Sequence, residues 1–195
     1  MSGVTVTNLI QGPGTLYVGA RYANTSAYTT AAEPADAAIN TTPQASAWTD
    51  IGGTTDGVNA EHAQEWGELQ VDQVLDVPDR RQTKRDFTIA TNMAEATLEN
   101  YAIATNESPP VTGAGFKTWE PTNGVAAFTP YYRALILDGY APAGFRRRVI
   151  ARRMLSMDPV AFAYKKDGQT VFTTKWGGHY VSASIAPYKL VDQTS

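Results

Sequence analysis

The spacing of apolar and polar residues changes its period once, in the middle of the chain. Leu69 and Val71, and later Phe87 and Ile89, alternate with polar neighbours, as in strands that have one buried face. After Asn92 the apolar residues recur every three to four positions, which is typical of an amphipathic helix. The segment is therefore predicted to contain two strands followed by one short helix.

Two polar residues predict where that helix begins. The Asn92 side chain can accept from the first free backbone N–H groups, and Glu95, three residues later, can reach back in a capping-box arrangement. Leu98 and Tyr101 lie on one stripe of this helix, with Ala102 beside them. We expect the helix to begin at Asn92 and to pack this stripe against a sheet.

Most of the remaining chain consists of short aromatic and β-branched runs separated by Gly and Pro, a pattern typical of a sandwich or barrel. Residues 21–47, which are rich in Ala, Thr, Asn and Pro, have no period and predict a long loop. The sequence predicts a single mainly β domain over residues 1–195, with two packed antiparallel sheets, one flanking helix and this loop. Extended structure is predicted at Thr15 to Ala20, Trp48 to Ile51, Val58 to Val74, Tyr131 to Leu137, Arg146 to Arg153, Val160 to Tyr164, Val171 to Trp176 and Tyr180 to Ala186.

The composition narrows the class of protein. The chain has 195 residues, of which 43% are apolar and 18% charged, enough for one sizeable core. It has no cysteine, so disulfides and thiolate sites are excluded, and its net charge of -3 does not favour nucleic-acid binding. Neither a signal peptide nor an apolar run long enough for a membrane span is seen, so we expect a protein that folds in a cytoplasm and binds no membrane.

The sequence offers little chemistry of the kind that enzymes use. His62 and His179 each lack a second ligand at metal-binding spacing, no serine lies in a G-x-S-x-G elbow, and Gly12-Pro13-Gly14 lacks the third glycine of a dinucleotide fingerprint. We therefore predict a protein without catalytic, cofactor or metal sites.

One run of arginines invites a nucleic-acid interpretation. In a strand, Arg146, Arg148 and Arg152 point to one side while Arg147 and Arg153 point to the other, so the charge is divided between two surfaces. Salt bridges within a subunit or between subunits are the favoured interpretation.

Several segments, taken in order, carry a resemblance. The first is Gly12 to Gly19 (GPGTLYVG), followed by Val71-Asp72-Gln73 with a charged connection, the strand around Phe87 to Ile89, the helical MAEATLEN at residues 93–100, and the closing residues 164–193. This series resembles the major tail tube proteins of long-tailed bacteriophages over nearly the whole chain.

The resemblance implies a function through assembly. Subunits of such proteins join edge to edge into six-fold rings, their inner sheets form a barrel around the channel that DNA passes through, and the rings stack with the help of a long loop and the termini. It also implies location in the virion tail after assembly in the bacterial cytoplasm, with tape-measure, terminator and tip proteins as partners. A polar, preferably acidic wall would let DNA slide.

Two groups of charged and polar residues are candidates for these contacts. For the channel wall or subunit contacts they are Glu61, Glu65, Glu68, Gln70 and Asp72. For subunit-interface charges they are Arg80, Arg81, Arg146, Arg148 and Arg152.

Two other functions remain open at this stage. The four tryptophans, Trp48, Trp66, Trp119 and Trp176, and ten tyrosines also suit a carbohydrate-binding β-sandwich, because aromatic rings stack on sugars. A tube component of a contractile injection or secretion machine would share the fold with a different biology.

Overall fold

The computed structural model describes residues 5–23, 27–73, 75–123 and 129–194. The protein is mainly β, with 44% strand and 10% helix, in one large antiparallel sheet and a small second sheet. The strands are β1 (Thr15–Gly19), β2 (Tyr22–Ala23), β3 (Trp48–Asp50), β4 (Thr54–Leu69), β5 (Asp79–Met93), β6 (Val111–Thr112), β7 (Lys117–Thr118), β8 (Tyr131–Tyr140), β9 (Arg146–Ser156), β10 (Phe172–Gly178) and β11 (Tyr188–Asp192). One α-helix, α1 (Leu98–Ala104), follows β5.

The large sheet has the strand order β3-β1-β8-β9-β10-β5-β4, with β2 added to β8 and β11 added to β9. In a flat sheet its two outermost strands would lie about 29 Å apart, since neighbours are separated by about 4.8 Å. Only residues 51–53 join β3 to β4, and such a link spans at most about 14 Å. The sheet must therefore curl until its two ends approach each other.

β8 and β9 lie next to each other in the middle of this curled sheet. One edge of β9 pairs with β11 along residues 147–151 and with β10 along residues 154–156. The ring of Phe87 on β5 stacks on Tyr188 of β11, with 4.2 Å between ring centroids. The prediction of a mainly β fold is confirmed, with one large antiparallel sheet and a small second sheet.

The core is filled by alternate residues of the central strands. One buried cluster includes Leu16 of β1, Ile89 of β5 and Trp176 of β10, none of which is measurably exposed. Ile103 and Ala104 of α1 belong to the same cluster. The helix therefore covers the core instead of lying apart from it.

The predicted start of the helix is wrong. Asn92 lies in β5, where it pairs with Thr55 and Thr173, and the helix begins at Leu98. Its N-cap is Thr97, whose hydroxyl accepts from the Asn100 backbone N–H at 3.1 Å. The Asn92 pattern fails because strand pairing on both sides of β5 extends the ladder past the capping residue.

The other predicted cap and packing residues have different roles from those expected. The Glu95 carboxylate accepts from the Gly53 backbone N–H at 3.0 Å, where β3 turns into β4. Leu98 is 38% exposed, whereas Asn100 is buried and donates to the Ile51 carbonyl at 2.9 Å. Tyr101 is partly buried against the core, as its position on the stripe predicts.

Several predicted strands are confirmed within a few residues, namely those matching β1, β3, β8, β9 and β10. Residues 160–164 and 180–186 are not strands, and the last strand, β11, lies after both. The segment at 58–74, predicted as one long strand or a hairpin, belongs to a single strand that begins earlier and ends at Leu69. Val74, the last residue of the predicted segment, lies outside the described residues.

The described part of the segment at 21–47 is anchored to the sheet at several points, although most of its residues are exposed. It contains β2 and two short 3₁₀ turns, at Thr30–Ala32 and Asp36–Ala38. Glu33 forms a buried ion pair with Arg152, and the carbonyl of Thr41 accepts from Arg148 at 2.8 Å. The segment predicted as a long loop thus covers one face of β9.

Candidate assembly surface

β4 and β5 form one long hairpin whose outer part leaves the body of the protein. Near the body, Phe87, Ile89, Thr91 and Met93 are buried and alternate with half-buried neighbours. Beyond them, both faces of the ribbon are largely exposed, and this part, residues 61–85, is called the arm. From Glu61 to Leu69 alone the arm measures about 26 Å, at about 3.3 Å per residue.

The local sequence explains why the arm does not fold back. From residue 59 to residue 68 only Trp66 is a large apolar side chain, and the facing strand from 79 to 86 has none. A ribbon without an apolar face gains nothing from burial, so its backbone is stabilised by the ladder alone. This absence of alternation was the signal for an exposed arm, and it is readable from the sequence.

Ion pairs, two of them between the strands, line the arm. Arg80 pairs with Glu68 at 3.0 Å, and Lys84 pairs with Glu65 at 3.5 Å and with Asp86 at 2.6 Å. The hydrogen bond and charge of Asp86, followed by the charge of Glu65, raise the pKa of the Lys84 amine above its ordinary value. Such exposed pairs set the register of the ribbon more than they stabilise it.

The arm and the adjoining sheet have an outer face, defined as the side away from the core. Glu61 and Glu65 lie on it, because β4 alternates and His62, between them, is on the side of the buried Phe87. Between residues 61–69 and 79–86 this face carries four carboxylates against two cations, which are Glu61, Glu65, Asp79 and Asp86 against Arg81 and Lys84. It is therefore polar and mildly acidic.

The structure separates the predicted wall residues into three places. Glu61 and Glu65 share the outer face, whereas Glu68 lies on the opposite side of the ribbon in its pair with Arg80. Gln70 and Asp72 lie in the loop that follows β4. Asp86 is a member of the outer face that sequence reasoning missed.

The long edge of β4 is open. Among the described strands β4 pairs only with β5, so along its 16 residues the other edge offers backbone donors and acceptors. An exposed edge of this length is a template for pairing with another chain. Natural proteins usually shorten or cover such edges, so an edge that stays open over 16 residues points to a partner strand.

The arm is fixed to the body at His62. The His62 ring lies edge-on to Tyr188 at 5.7 Å, and the Tyr188 hydroxyl and the His62 Nδ1 are 2.9 Å apart. Tyr188 in turn stacks on Phe87. The base of the arm is therefore held between β5 and β11, and this fixes the direction in which the arm leaves the body.

The predicted interface arginines occupy two kinds of environment. Arg148 pairs with Asp138 at 2.6 Å and Arg152 pairs with Glu33 at 2.7 Å, and all four side chains are largely buried within the chain. Arg80, Arg81 and Arg146 are exposed. Only these three lie where a second subunit could reach them directly.

Two further arginines make contacts that the sequence did not indicate. Arg133 is 6% exposed and donates to the carbonyls of Gly19 and Glu107, and burial, followed by the nearby charge of Arg21, lowers its pKa to about 10. Arg147 pairs with Asp192 at 2.6 Å and joins β9 to β11. The hydrogen bond from Arg147 lowers the pKa of the Asp192 carboxyl.

The described residues contain no group of three or more His, Asp or Glu side chains that could hold a metal ion. The part of the chain that the structure describes also has no helix of the length and apolarity needed to cross a bilayer. No protein-family model matches the chain, and no curated protein matches it significantly.

Proposed function

We propose that this protein is the tail tube subunit of a long-tailed bacteriophage. Copies would join edge to edge into six-fold rings, and the rings would stack into the conduit through which DNA leaves the virion. The observation that carries the proposal is the 16-residue open edge of β4, continued into an arm that is exposed on both faces. Such an element is a liability in a monomer and is resolved by assembly.

The outer face suits the wall of a DNA channel. It is polar, with Asn92 accepting from the Thr173 hydroxyl at 2.8 Å, and its arm portion has an excess of carboxylates over cations. An acidic wall repels the phosphate backbone, so DNA would pass without being held. Arg148 and Arg152, by contrast, are neutralised within the chain and offer DNA no basic stripe.

The tryptophans support this proposal over a carbohydrate-binding module. Trp48 and Trp176 are buried in the core, and Trp119 is partly buried with its indole N–H donating to the Ser108 carbonyl. Trp66 is 54% exposed and stands on the arm without a neighbouring aromatic partner among the described ring contacts. The four rings therefore do not form one sugar-binding platform.

The partners follow from this function. The subunit would bind other copies of itself, the tape-measure protein inside the growing tube, and the terminator and tip proteins at its two ends. Its place would be the virion tail after assembly in the host bacterial cytoplasm.

Electron microscopy of the purified protein tests the proposal. We expect rings and tubes with a central channel. A matched variant in which residues 64–85 are replaced by Asn-Gly keeps the Ala63–Asp86 pair and the core, and the Asn-Gly turn suits a tight hairpin. This variant should unfold at nearly the same temperature as the parent and form no tubes. A parent protein that stays monomeric at high concentration and binds polysaccharide would instead favour the carbohydrate-binding alternative.

A further inference from the structure

An aromatic groove lies beside α1, on the far side of the body from the arm. It has a volume of about 320 Å³ and is lined by Leu98, Tyr101, Trp119, Phe162, Tyr164 and Phe172. The Tyr101 ring meets Trp119 edge-on at 4.9 Å and Phe162 at 5.8 Å. Phe162 is 52% exposed and Tyr164 is 87% exposed, so the groove presents apolar surface to solvent.

The end of the arm presents apolar surface as well. The tip, defined as residues 69–73 and 75–77, has four large apolar side chains that are at least 38% exposed, and Leu75 is fully exposed. These side chains are Leu69, Val71, Leu75 and Val77. The protein thus carries an exposed apolar projection and an exposed apolar recess.

The two surfaces lie at opposite ends of one strand. The tip adjoins Asp79, where β5 begins, whereas Phe172 of the groove pairs with Met93, where β5 ends. The 14 residue-to-residue steps from Asp79 to Met93 span about 46 Å, at about 3.3 Å per step. Because the arm points away from the groove, the tip cannot occupy the groove of its own chain.

Their charges are complementary. Asp72 and Asp76 are the ionisable residues of the loop from 70 to 78, which has no Lys or Arg. Lys165 and Lys166 directly follow Tyr164 at the groove and are exposed, together with Asp167. The tip thus carries two negative charges, and residues 165–167 beside the groove have a net charge of one positive unit. Opposite charges of this kind favour the correct approach of two surfaces.

From this arrangement we propose that the arm tip of one copy docks in the aromatic groove of the next copy along the direction of β5. The contact is heterologous, since different surfaces meet, and it repeats along one axis without closing. Leu75 enters between Phe162 and Tyr164, and Asp72 and Asp76 face Lys165 and Lys166. This inference deepens the proposed function, because it assigns the contact between stacked rings to two defined surfaces.

Each such contact is small, and this suits its role. Four apolar side chains bury far less than the roughly 1,200–2,000 Å² of a stable interface, so a single tip binds weakly. When several copies are held side by side in one ring, their tips engage together and the contacts become effectively intramolecular. Stacking is then strong between rings and negligible between free subunits.

Cysteine cross-linking tests the contact directly, because the natural chain has no cysteine. A chain carrying both Leu75→Cys and Tyr164→Cys should form a ladder of disulfide-linked oligomers under mild oxidation, whereas either single variant should not. In the matched control Leu75→Cys is combined with Tyr180→Cys, another exposed tyrosine outside the groove, and no ladder is expected.

Charge reversal gives a second, independent measurement. Asp72→Lys with Asp76→Lys, or Lys165→Glu with Lys166→Glu, should raise the concentration needed for tube formation by about tenfold or more, because like charges then face each other. The chain with all four changes should recover tube formation to within about threefold of the parent.

The possible results separate this inference from the proposed function. Tubes that form normally from the charge-reversed variants, together with no ladder from the double-cysteine chain, would overturn the docking and leave the tail tube proposal intact. A ladder from a double-cysteine chain that forms linear filaments without rings would support the docking and overturn the six-fold tube. A parent protein that remains monomeric, together with no ladder from the double-cysteine chain, would overturn both.

Discussion

The Arg152 guanidinium donates to both carboxylate oxygens of Glu33, at 2.7 Å and 3.1 Å, and the two side chains are each less than 10% exposed. This pair joins the segment at 27–47 to the central strand β9. We expect Glu33→Gln to lower the free energy of unfolding by about 3–5 kcal/mol, because it leaves the Arg152 charge buried without a counterion.

The matched control is Asp36→Asn, three residues away. Asp36 pairs with Lys189 on the surface, so this change should cost about 0–1 kcal/mol. Urea denaturation measures both effects. Equal, small losses would mean that the segment at 27–47 does not depend on its buried ion pair.

Trypsin should distinguish the arm from strand β9, which the segment at 27–47 covers. In the free subunit we expect early cleavage in the arm after Arg80, Arg81, Lys84 or Arg85, since these residues are exposed on a ribbon without tertiary support. In tubes, cleavage there should be slow.

Arg148 and Arg152, at the contacts of the segment with β9, should resist cleavage in both states because they are buried. Peptide mapping by mass spectrometry identifies the order of cuts. Early cleavage at Arg148 or Arg152 in the free subunit would show that β9 and its cover open before the arm is attacked.

The outer face makes a prediction about DNA. Glu61→Lys with Glu65→Lys changes the charge of this face by four positive units, so tubes made of this variant should retain double-stranded DNA that the parent tubes release. Retention should weaken as salt is raised, because phosphate contacts release counterions.

Glu68 provides the control, because it lies on the opposite side of the ribbon. Glu68→Lys should leave DNA release from tubes unchanged. DNA retention by the Glu68 variant equal to that of the Glu61 and Glu65 variant would show that the outer face is not the channel wall.

The free energy of unfolding should fall at acid pH, in part because Asp192 becomes protonated. Its pKa is lowered in the folded protein by the hydrogen bond from Arg147, so the folded state binds fewer protons than the unfolded state just below pH 4. The stabilisation is complete above the unfolded pKa of about 3.9 and is lost as the pH falls through the folded pKa. Asp192→Asn should remove this part of the acid dependence.

The effect will be small, because Asp192 and Arg147 are both more than one third exposed. Arg147→Gln should reduce the loss of unfolding free energy at acid pH in the same way, since it removes the hydrogen-bond donor. Urea denaturation between pH 3 and pH 7 measures this free energy. If both variants lose as much stability at acid pH as the parent, this pair makes no contribution.

Strands with one face in the core could be predicted from the sequence. Residues whose partners are distant along the chain could not. β1 and β10 follow from local alternation, because each has one face in the core. Asn92 and Glu95 match a helix cap locally, yet Asn92 is paired on both sides in the sheet and Glu95 binds Gly53, 42 residues away. Local chemistry allowed both outcomes, and tertiary pairing decided between them.

In the candidate assembly surface, too, local spacing could be predicted from the sequence and distant pairing could not. That Glu61 and Glu65 share a polar face follows from a period of two, and the structure places them so. Glu68 lies on the opposite side of the ribbon, because side chains alternate along β4 and Glu68 is an odd number of residues from both Glu61 and Glu65. The burial of Arg148 and Arg152 could not be predicted, because their carboxylate partners, Asp138 and Glu33, come from separate strands or loops.

In the proposed assembly, the order of strands in the curled sheet also sets the earliest time at which a newly made chain can join. β1 pairs with β8, roughly 120 residues later in the chain, and the first half of β9 pairs with β11 near residue 190. At about 5–20 residues per second, a nascent chain waits about 6–24 s between the synthesis of β1 and that of its partner. The arm is made early, but the body that carries the groove and positions the open edge is finished only after β11 has been made. Chains that still lack β11 are therefore incomplete building blocks, and the proposed assembly would draw on chains that already contain it.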